Sequence, residues 1–427
     1  MGFACDDVIG RQVAAGGQRF RAERGPCNCV GMVTTPRAYS ASSTSTDAVT
    51  AVGELLAAIP PGVKPTFCLC ACTVDLDAEA FFAELQRRLD KTTVVGTTSC
   101  RQVASDTSAT AKAAALFVCG EGFVAGSASG TNADAALLGE QLTKTAMQRA
   151  GIANADAVRL VVVHAAPGIE AAVLGGLGKA VTTNAVVIGG SGADNDLSGK
   201  WRVFGRDGVV GNGAAVLVCD WPWTMAVSYQ GGYLATGNEG RVTAAEGRRL
   251  ISIDGEPAAD VYDRWLGRKL PRNKSVLGET ALRPFAMAHG VGGGLDVHVL
   301  VHPARFDDDG SITCFAEPEV GARILLMESS TASLMRRGGL VSRYAMQQAG
   351  VTVDDVVAGF LIYCAGCSQA LGGDIVGLTD GIGSVLKGVP FLMPFSYGEQ
   401  GRLRRQRIDH GNLMLSALLL TNKPVRA

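Results

Sequence analysis

Two polar clusters in the C-terminal part of the chain carry the residue types best suited to chemistry. Cys364-Ala-Gly-Cys367 has the spacing of redox-active and zinc-binding cysteine pairs, and Tyr397-Gly-Glu399 places a carboxylate near a phenol. A carboxylate can hold an ammonium group or a cation, and a tyrosine can add a hydroxyl or a ring face. A single Cys-x-x-Cys pair is compatible with core packing, metal binding or a reactive thiol, so these three interpretations stay open.

Each cluster follows an apolar run that predicts a buried strand. One run is Val357–Tyr363 and the other is Val389–Phe395, and the residues between them, Leu371–Leu386, predict a helix. Two strands joined by such a crossover run parallel, so their following loops lie at one edge of the sheet. Ligands of open α/β sheets bind at that edge, and we therefore expect both clusters to line one opening.

The same order of strand, helix, strand and Gly/Ser/Thr loop occurs three times. The first copy runs from Thr66 to Cys100 and has its helix at about Asp77–Leu89; the second runs from Leu160 to Asp194. The third copy contains the two clusters. Internal duplication and three independent βαβ crossovers both explain the pattern. In each copy small residues stand where two loops would face one another, as a shared pocket requires.

The segments between the copies predict antiparallel pairing and further helices. Asp207-Gly208 is typical of a tight turn before Ala214–Cys219, and Asp309-Gly310 is typical of one between Val297–His302 and Ile312–Phe315. Apolar periodicity and caps predict the remaining helices, at 47–59, 133–150, 258–266 and 331–348. The predicted fold class is α/β with mixed, α+β-like sheets: two pseudo-repeated domains made of βαβ units and antiparallel hairpins.

Composition limits the classes of function. With 427 residues, 47% of them hydrophobic and 19% charged, the chain is long enough for two globular domains. The formal net charge of −1 argues against general binding to nucleic acid or to an anionic membrane surface. No run approaches the ~20 apolar residues of a membrane-spanning helix.

The cysteines indicate a reducing compartment. Several of the 12 lie inside apolar runs, where a reduced cysteine acts as a small hydrophobe. Cys68-x-Cys70-x-Cys72 in the first copy alternates so that all three side chains share one strand face, which suits packing, but four thiolates could also meet there with Cys364 and Cys367. We predict a cytoplasmic protein, with an organelle transit peptide in the arginine-rich first 36 residues as an alternative.

The chain after about residue 36 resembles the FIST family, a sensory domain with an N and a C part. In the first half the resemblance rests on Val94-Val-Gly-Thr-Thr-Ser99 and Val187-Ile-Gly-Gly-Ser-Gly-Ala-Asp194. In the second half it rests on Tyr363-Cys-Ala-Gly366, Pro394-Phe-Ser-Tyr-Gly-Glu-Gln-Gly401 and His410-Gly-Asn412. It implies an N-terminal arm at 1–36, a FIST N-like domain at 37–232 and a FIST C-like domain at 233–427.

The resemblance also implies a function. We predict a small-molecule sensor in signal transduction, with an amino-acid-like ligand, a protein partner, no metal, no cofactor and no catalytic residue. A structural subunit that has lost its ligand is the main alternative, and a thiol-dependent enzyme at Cys364 is a third. The candidate ligand-binding residues are Cys364, Cys367, Tyr397, Glu399, Asn412, His410, Ser191 and Asp194.

Overall fold

The structure is a computed structural model that describes residues 35–105, 111–292, 295–372, 375–404 and 407–425. The predicted N-terminal arm lies outside the described residues, apart from its last two positions. The described residues form one compact unit. Within the described ranges, no helix is both long enough and apolar enough to cross a membrane.

Three strand–helix–strand units are joined by segments made mostly of successive strands. The strands of the first half are β1 (Arg37–Ser43), β2 (Phe67–Cys72), β3 (Thr93–Thr98), β4 (Gln102–Ala104), β5 (Ala113–Cys119), β6 (Ala125–Gly130), β7 (Leu160–Ala165), β8 (Val186–Gly190), β9 (Val203–Gly205), β10 (Gly208–Val210), β11 (Ala214–Cys219) and β12 (Trp223–Gln230). Those of the second half are β13 (Leu234–Glu246), β14 (Arg249–Ile253), β15 (Glu256–Pro257), β16 (Phe285–Gly292), β17 (Leu295–Val301), β18 (Pro303–Phe306), β19 (Ile312–Cys314), β20 (Arg323–Glu328), β21 (Val356–Cys364), β22 (Phe391–Ser396), β23 (Glu399–Arg404), β24 (Arg407–Gly411) and β25 (Leu415–Pro424). The helices are α1 (Ala48–Leu56), α2 (Ala78–Arg88), α3 (Ala135–Ala150), α4 (Glu170–Ala180), α5 (Ala258–Leu266), α6 (Leu277–Thr280), α7 (Thr331–Ala349), α8 (Ala365–Ala370) and α9 (Val376–Leu386), with 3-10 turns at Ala155–Ala157 and Val353–Asp355.

The helices begin and end at the residues that their sequence signals predict. Asp77 caps α2 by accepting hydrogen bonds from two backbone N–H groups, and Asp134 caps α3 in the same way with one. The last turn of α3 closes at Gly151, whose φ of 73° lies in the left-handed region that glycine adopts without strain. These local signals explain why the predicted helix bounds agree with the structure to within a few residues.

All three predicted βαβ units are present. β2 and β3 are parallel neighbours, as are β7 and β8, and β21 and β22. In the first two units α2 and α4 form the crossovers. In the third unit the crossover is divided between α8 and α9, so the prediction of one helix there was incomplete. The pairing of β21 with β22 confirms that the two apolar runs of the C-terminal part lie side by side.

The three units surround one apolar core. Their sheets have the strand orders β1-β5-β2-β3-β9-β10, β24-β23-β8-β7-β11-β6 and β12-β25-β21-β22-β4. Each sheet contributes buried side chains to one shared hydrophobic cluster; Leu69, Leu217 and Leu418 are examples, one from each sheet. The opposite faces are covered by helices: α1 and α2 on the first sheet, α3 and α4 on the second, α7 and α9 on the third. A fourth sheet, β17-β16-β20-β13-β14-β19-β18 with β15 beside β14, packs against α5.

The two halves of the chain exchange strands. β4 of the first half pairs with β22, and β23 of the second half pairs with β8. The segment after Tyr397 was predicted as a polar loop, but it is a strand from Glu399 onward. This correction matters for the site, since a residue in a buried ladder cannot be as accessible as one in a loop.

Both predicted hairpin turns form, but their strand partners differ in part from the prediction. β9 and β10 pair across a turn at Arg206-Asp207, one residue earlier than the predicted Asp207-Gly208, and β11 pairs with β6 and β7. Asp309-Gly310 joins β18 to β19, while β17 pairs with β16. Turn residues specify a local reversal of the chain, and the choice among distant strands depends on tertiary packing, which the turn signal does not contain.

The close approach of α3 and α4 gives a first prediction. A Cβ at Gly176 would overlap the backbone carbonyl of Ala136, whereas a Cβ at the neighbouring Gly175 would meet nothing within 4 Å. Gly176→Ala should therefore lower the free energy of unfolding by about 1–3 kcal/mol, since overpacking forces the helices apart. Urea unfolding followed by circular dichroism measures this. Gly175→Ala is the matched control and should be neutral or stabilising by up to ~1 kcal/mol, because alanine favours the helix; equal effects of the two changes would contradict the close packing.

Candidate functional site

A cavity of about 720 Å³ lies where the three βαβ units end. Each unit contributes the residues that directly follow its second strand. These are Cys100 and Arg101 after β3, Asp194–Leu197 after β8, and Tyr397 after β22. The remaining wall is built from Leu277, His302, Phe315, Cys364, Ala365, Gly366, Ser368, Gln369, Gly372 and Asn412. The cavity therefore occupies the carboxyl ends of parallel strands, where ligands of α/β sheets bind.

Tyr397 and Asp194 close one side of the cavity together. The Tyr397 hydroxyl donates to Asp194 Oδ1 at 2.6 Å and lies 2.5 Å from the Asp194 carbonyl oxygen. Asp194 also accepts from the backbone N–H groups of Leu197, at 2.7 Å, and Lys200, at 2.8 Å. Burial raises the pKa of the Asp194 carboxyl, but these hydrogen bonds outweigh burial and lower it below its usual value. The carboxylate is therefore charged and holds the loop after β8 in place.

Asn412 and His302 form another part of the wall, next to Tyr397. Asn412 Oδ1 accepts from the His302 backbone N–H at 3.3 Å, and Asn412 Nδ2 donates to the Tyr397 carbonyl at 3.4 Å. Burial lowers the pKa of His302 to about 4, so its ring is neutral at pH 7. Asn412 thus joins the Tyr397 turn to the segment between β17 and β18 while its side chain borders the cavity.

The cysteine pair occupies two depths of the wall. Cys364 ends β21 and lines the cavity, whereas Cys367 lies in α8 and is completely buried beneath it. Behind Cys367 stands the buried side chain of Arg337 from α7, whose guanidinium lies 5.3 Å from the centre of the Tyr363 ring. The Tyr233 hydroxyl lies 3.7 Å from Cys367 Sγ. The pair therefore has one thiol at the cavity and one in a polar, buried environment.

Glu399 is not where the sequence predicted it. Its carboxyl is fully buried in the interior and does not line the cavity, because Glu399 starts β23 opposite Gly190. One carboxyl oxygen accepts from the Met414 backbone N–H at 3.0 Å, and the other has no hydrogen-bond partner within the described part of the chain. Burial raises the pKa of this carboxyl well above its usual value. Glu399 is therefore a buried core residue, and its burial favours the uncharged form of the carboxyl.

Ser191 and His410 form a separate buried polar cluster with Glu170. The Ser191 hydroxyl donates to Glu170 Oε1 at 2.8 Å, and His410 Nε2 lies 3.6 Å from the same oxygen. Arg248 completes the cluster through an ion pair with Glu170. Of the eight predicted site residues, Cys364, Tyr397, Asp194 and Asn412 line the cavity, while Cys367, Glu399, Ser191 and His410 lie behind its wall or away from it. Contact of any of the eight with a ligand stays a prediction.

Sequence reasoning missed several residues of the cavity. Arg101 and Asp196 bring charges of opposite sign to the wall, and His302 brings a neutral imidazole. Arg101 and Asp196 lie in the loops after β3 and β8, as Tyr397 lies in the turn after β22, so attention to the loop after the second strand of every copy would have included them. His302 comes from a segment outside the repeats, and no pattern in the sequence signals its placement.

The first-copy cysteines lie in another part of the core. Cys68, Cys70 and Cys72 share one face of β2 and pack against α1 and α2, as their alternation predicted for packing. Cys364 and Cys367 belong to a different cluster, beside α7 and α9. Across the described ranges, no group of three or more His, Cys, Asp or Glu side chains is arranged to hold a metal ion.

The fold and its cavity define an α/β protein with room for a small ligand at the ends of its parallel strands. The chain belongs to the FIST family: the FIST N domain profile matches residues 66–256 and the FIST C domain profile matches residues 258–402. Domains of this family are sensory domains that bind small ligands in signalling proteins. The boundaries predicted at 36/37 and 232/233 stay predictions.

The chain was also compared with solved structures and with curated proteins. A cyanuric acid hydrolase from A. caulinodans has a TM-score of 0.39 and 10% identity with this chain, over 90% of this chain and 99% of the hydrolase. That likeness is too low to support any argument about function. A comparison with curated proteins finds no match.

The hydrogen bonds of Tyr397 give a second prediction. Tyr397→Phe removes the hydroxyl that donates to the Asp194 carboxylate, and a hydrogen bond to a charged group contributes roughly 1.5–3 kcal/mol. Hydrogen exchange at the Leu197 and Lys200 amides should therefore become faster, since the loop after β8 loses an anchor. Tyr344→Phe, at an exposed tyrosine of α7, is the control and should leave these amides unchanged. Unchanged protection in Tyr397→Phe would show that the loop is held without this contact.

Proposed function

We propose that the chain is a small-molecule sensor and not an enzyme, and that its ligand is an amino-acid-like zwitterion bound in the cavity at the strand ends. The observation that carries the proposal is the presence of opposite charges on one cavity wall, Arg101 after β3 and Asp196 after β8. A carboxylate ligand group matches a guanidinium, and an ammonium group matches a carboxylate. The cavity volume also falls within the range of about 300–1,000 Å³ that is usual for small-molecule sites.

The remaining polar lining suits recognition better than catalysis. His302 is neutral and buried, and its Nε2 lies 3.0 Å from the Thr280 hydroxyl, so the imidazole is already engaged in the wall. The Asp194 carboxylate is engaged by the loop that it holds. Asp196 is exposed on the same loop, which leaves it available for an ammonium group. The two loops that carry Arg101 and Asp196 come from different βαβ units, so a bound zwitterion would tie those units together.

A signal would arise from this bridging. The ligand would stabilise the arrangement of the two loops in which both charges contact it. The equilibrium between loop arrangements shifts only as far as the ligand's affinities for those arrangements differ. The output would pass to a protein partner. The rival function, a structural subunit that no longer binds a ligand, predicts no such shift.

A panel of amino acids provides the third prediction. At least one α-amino acid should raise the melting temperature of the full chain, whereas its amine and its carboxylic acid analogue, each with one charge, should not at equal concentration. Asp196→Asn and Arg101→Gln should each weaken binding by about tenfold or more, because a charged hydrogen bond contributes roughly 1.5–3 kcal/mol and tenfold corresponds to about 1.4 kcal/mol. Isothermal titration calorimetry measures the affinities.

The controls are exposed residues of the same types away from the cavity. Asp354→Asn and Arg343→Gln should retain the affinity of the unchanged protein. Equal binding of the one-charge analogues would contradict the zwitterion. Binding of no member of the panel would favour the structural subunit.

A further inference from the structure

A group of ionisable side chains lies directly beneath the cavity wall. It contains Cys364, Cys367, Arg337, Tyr233 and Tyr363, and each of these residues is at least nine-tenths buried. Four segments contribute: α7 carries Arg337, the end of β21 carries Tyr363 and Cys364, α8 carries Cys367, and the link between β12 and β13 carries Tyr233. Only Cys364 of this group borders the cavity.

Arg337 is a buried cation without a carboxylate in contact within the described residues. Its Nη1 donates to the carbonyl oxygens of Gly231 and Leu413, while its Nε and Nη2 have no hydrogen-bond partner in the same part of the chain. A buried charge costs several kcal/mol unless an opposite charge compensates it. Burial favours the uncharged form of the Glu399 carboxyl, whereas the Cys367 sulfur beside Arg337 can supply the compensating negative charge.

The pKa values of the two thiols are shifted in opposite directions. Burial raises the pKa of the Cys367 thiol, but a hydrogen bond from Cys364 and the charge of Arg337 outweigh burial and lower it to about 6. Cys364 has its pKa raised well above its usual value, first by its hydrogen bond to Cys367 and then by burial. The resting pair is thus a thiol at the cavity hydrogen-bonded to a thiolate beneath it.

We propose that Cys364 and Cys367 form a redox-active pair that hydrogen peroxide, entering through the cavity, oxidises to an intramolecular disulfide. The cavity provides a path to Cys364, the Cys-x-x-Cys spacing places Cys367 in the first turn of the helix that follows Cys364, and Arg337 positions the buried thiolate. This site is independent of the proposed zwitterion and goes beyond the proposed function.

The chemistry balances in two steps. The Cys364 proton passes to Cys367, the Cys364 thiolate attacks one peroxide oxygen, and the O–O bond breaks. The hydroxide that leaves takes the proton back from Cys367 and becomes water, so that Cys364 is now a sulfenic acid beside a thiolate. That thiolate attacks the Cys364 sulfur, the S–S bond forms and the S–O bond breaks, and the second hydroxide takes a proton from solvent. Two thiols lose two electrons in total, and one peroxide gains them and gives two waters.

The disulfide would change both the cavity and the core beneath it. Cys364 loses its hydrogen-bond donor at the wall, and Arg337 loses the only anion beside it among the described groups. Arg337 donates hydrogen bonds to the backbone carbonyls of Gly231 and Leu413. Gly231 lies at the predicted joint of the two halves, and Leu413 is adjacent to the cavity residue Asn412. Oxidation therefore acts on contacts that join the cavity to the rest of the fold.

The sequence allows a direct test of the oxidation. Trypsin releases residues 344–387 as one peptide, bounded by Arg343 and Lys387, whose only cysteines are Cys364 and Cys367. The folded full-length protein is treated with hydrogen peroxide, and its remaining thiols are alkylated after denaturation. The protein is then digested with trypsin, and the mass of the peptide is measured by mass spectrometry. We expect the peptide to lose two hydrogen atoms and to take no alkyl group until a reductant is added.

Three serine variants test the roles of the thiols. Cys367→Ser removes the thiolate that takes up the Cys364 proton, so Cys364 should react with peroxide more slowly than in the unchanged protein, and any sulfenic acid formed there should persist and be trapped by dimedone. Cys364→Ser should leave Cys367 reduced, because that sulfur has no access to the cavity. Cys100→Ser is the matched control: Cys100 also lines the cavity, but it lies outside the Cys364–Cys367 peptide and takes no part in the two steps, so the peptide should still form its disulfide. The proposal is overturned if the folded wild-type peptide keeps both thiols, or if Cys367 oxidises equally fast in Cys364→Ser.

Discussion

The backbone ladder between β8 and β23 is the constraint on which the site depends. Glu399 pairs with Gly190, Gln400 with Gly189, and Gly401 with Ile188, so a strand of the second half completes a sheet of the first half. The ladder fixes the position of the turn that precedes β23, and that turn carries Tyr397. Because Tyr397 is held against Asp194, the pairing sets one whole side of the cavity.

A shared core makes this arrangement stiff. Three sheets place apolar side chains in one cluster, and each sheet has helices over its other face, so the ends of the three βαβ units cannot move independently without disturbing close-packed side chains. Loops at such ends are positioned by a rigid scaffold, which suits binding. Buried polar groups collect around the same ends: Glu399 and Arg337 beneath the wall, and Glu170 with Ser191 to one side. Several buried polar groups of this protein therefore lie close to its cavity.

Sequence patterns predicted the elements well and the placement of side chains only in part. Apolar runs, Asp caps and glycine stops contain the local information for β21, β22 and most helices, and those predictions were confirmed. Glu399 was misplaced because Tyr-Gly-Glu after a strand has the composition of a loop, while its actual conformation depends on a ladder formed with residues more than 200 positions earlier in the chain. Arg337 had no signal at all, since an arginine in a helix is usually exposed and its burial follows from packing against the Cys-x-x-Cys turn.

The measurement closest to the central claim is a crystal structure of the chain with a small molecule first identified by native mass spectrometry. We expect one molecule per chain, located between the loops after β3 and β8 and in contact with the turn that carries Tyr397. A ligand found instead in the groove beside Lys179 and Arg407, or a cavity filled by side chains in the crystal, would contradict the account.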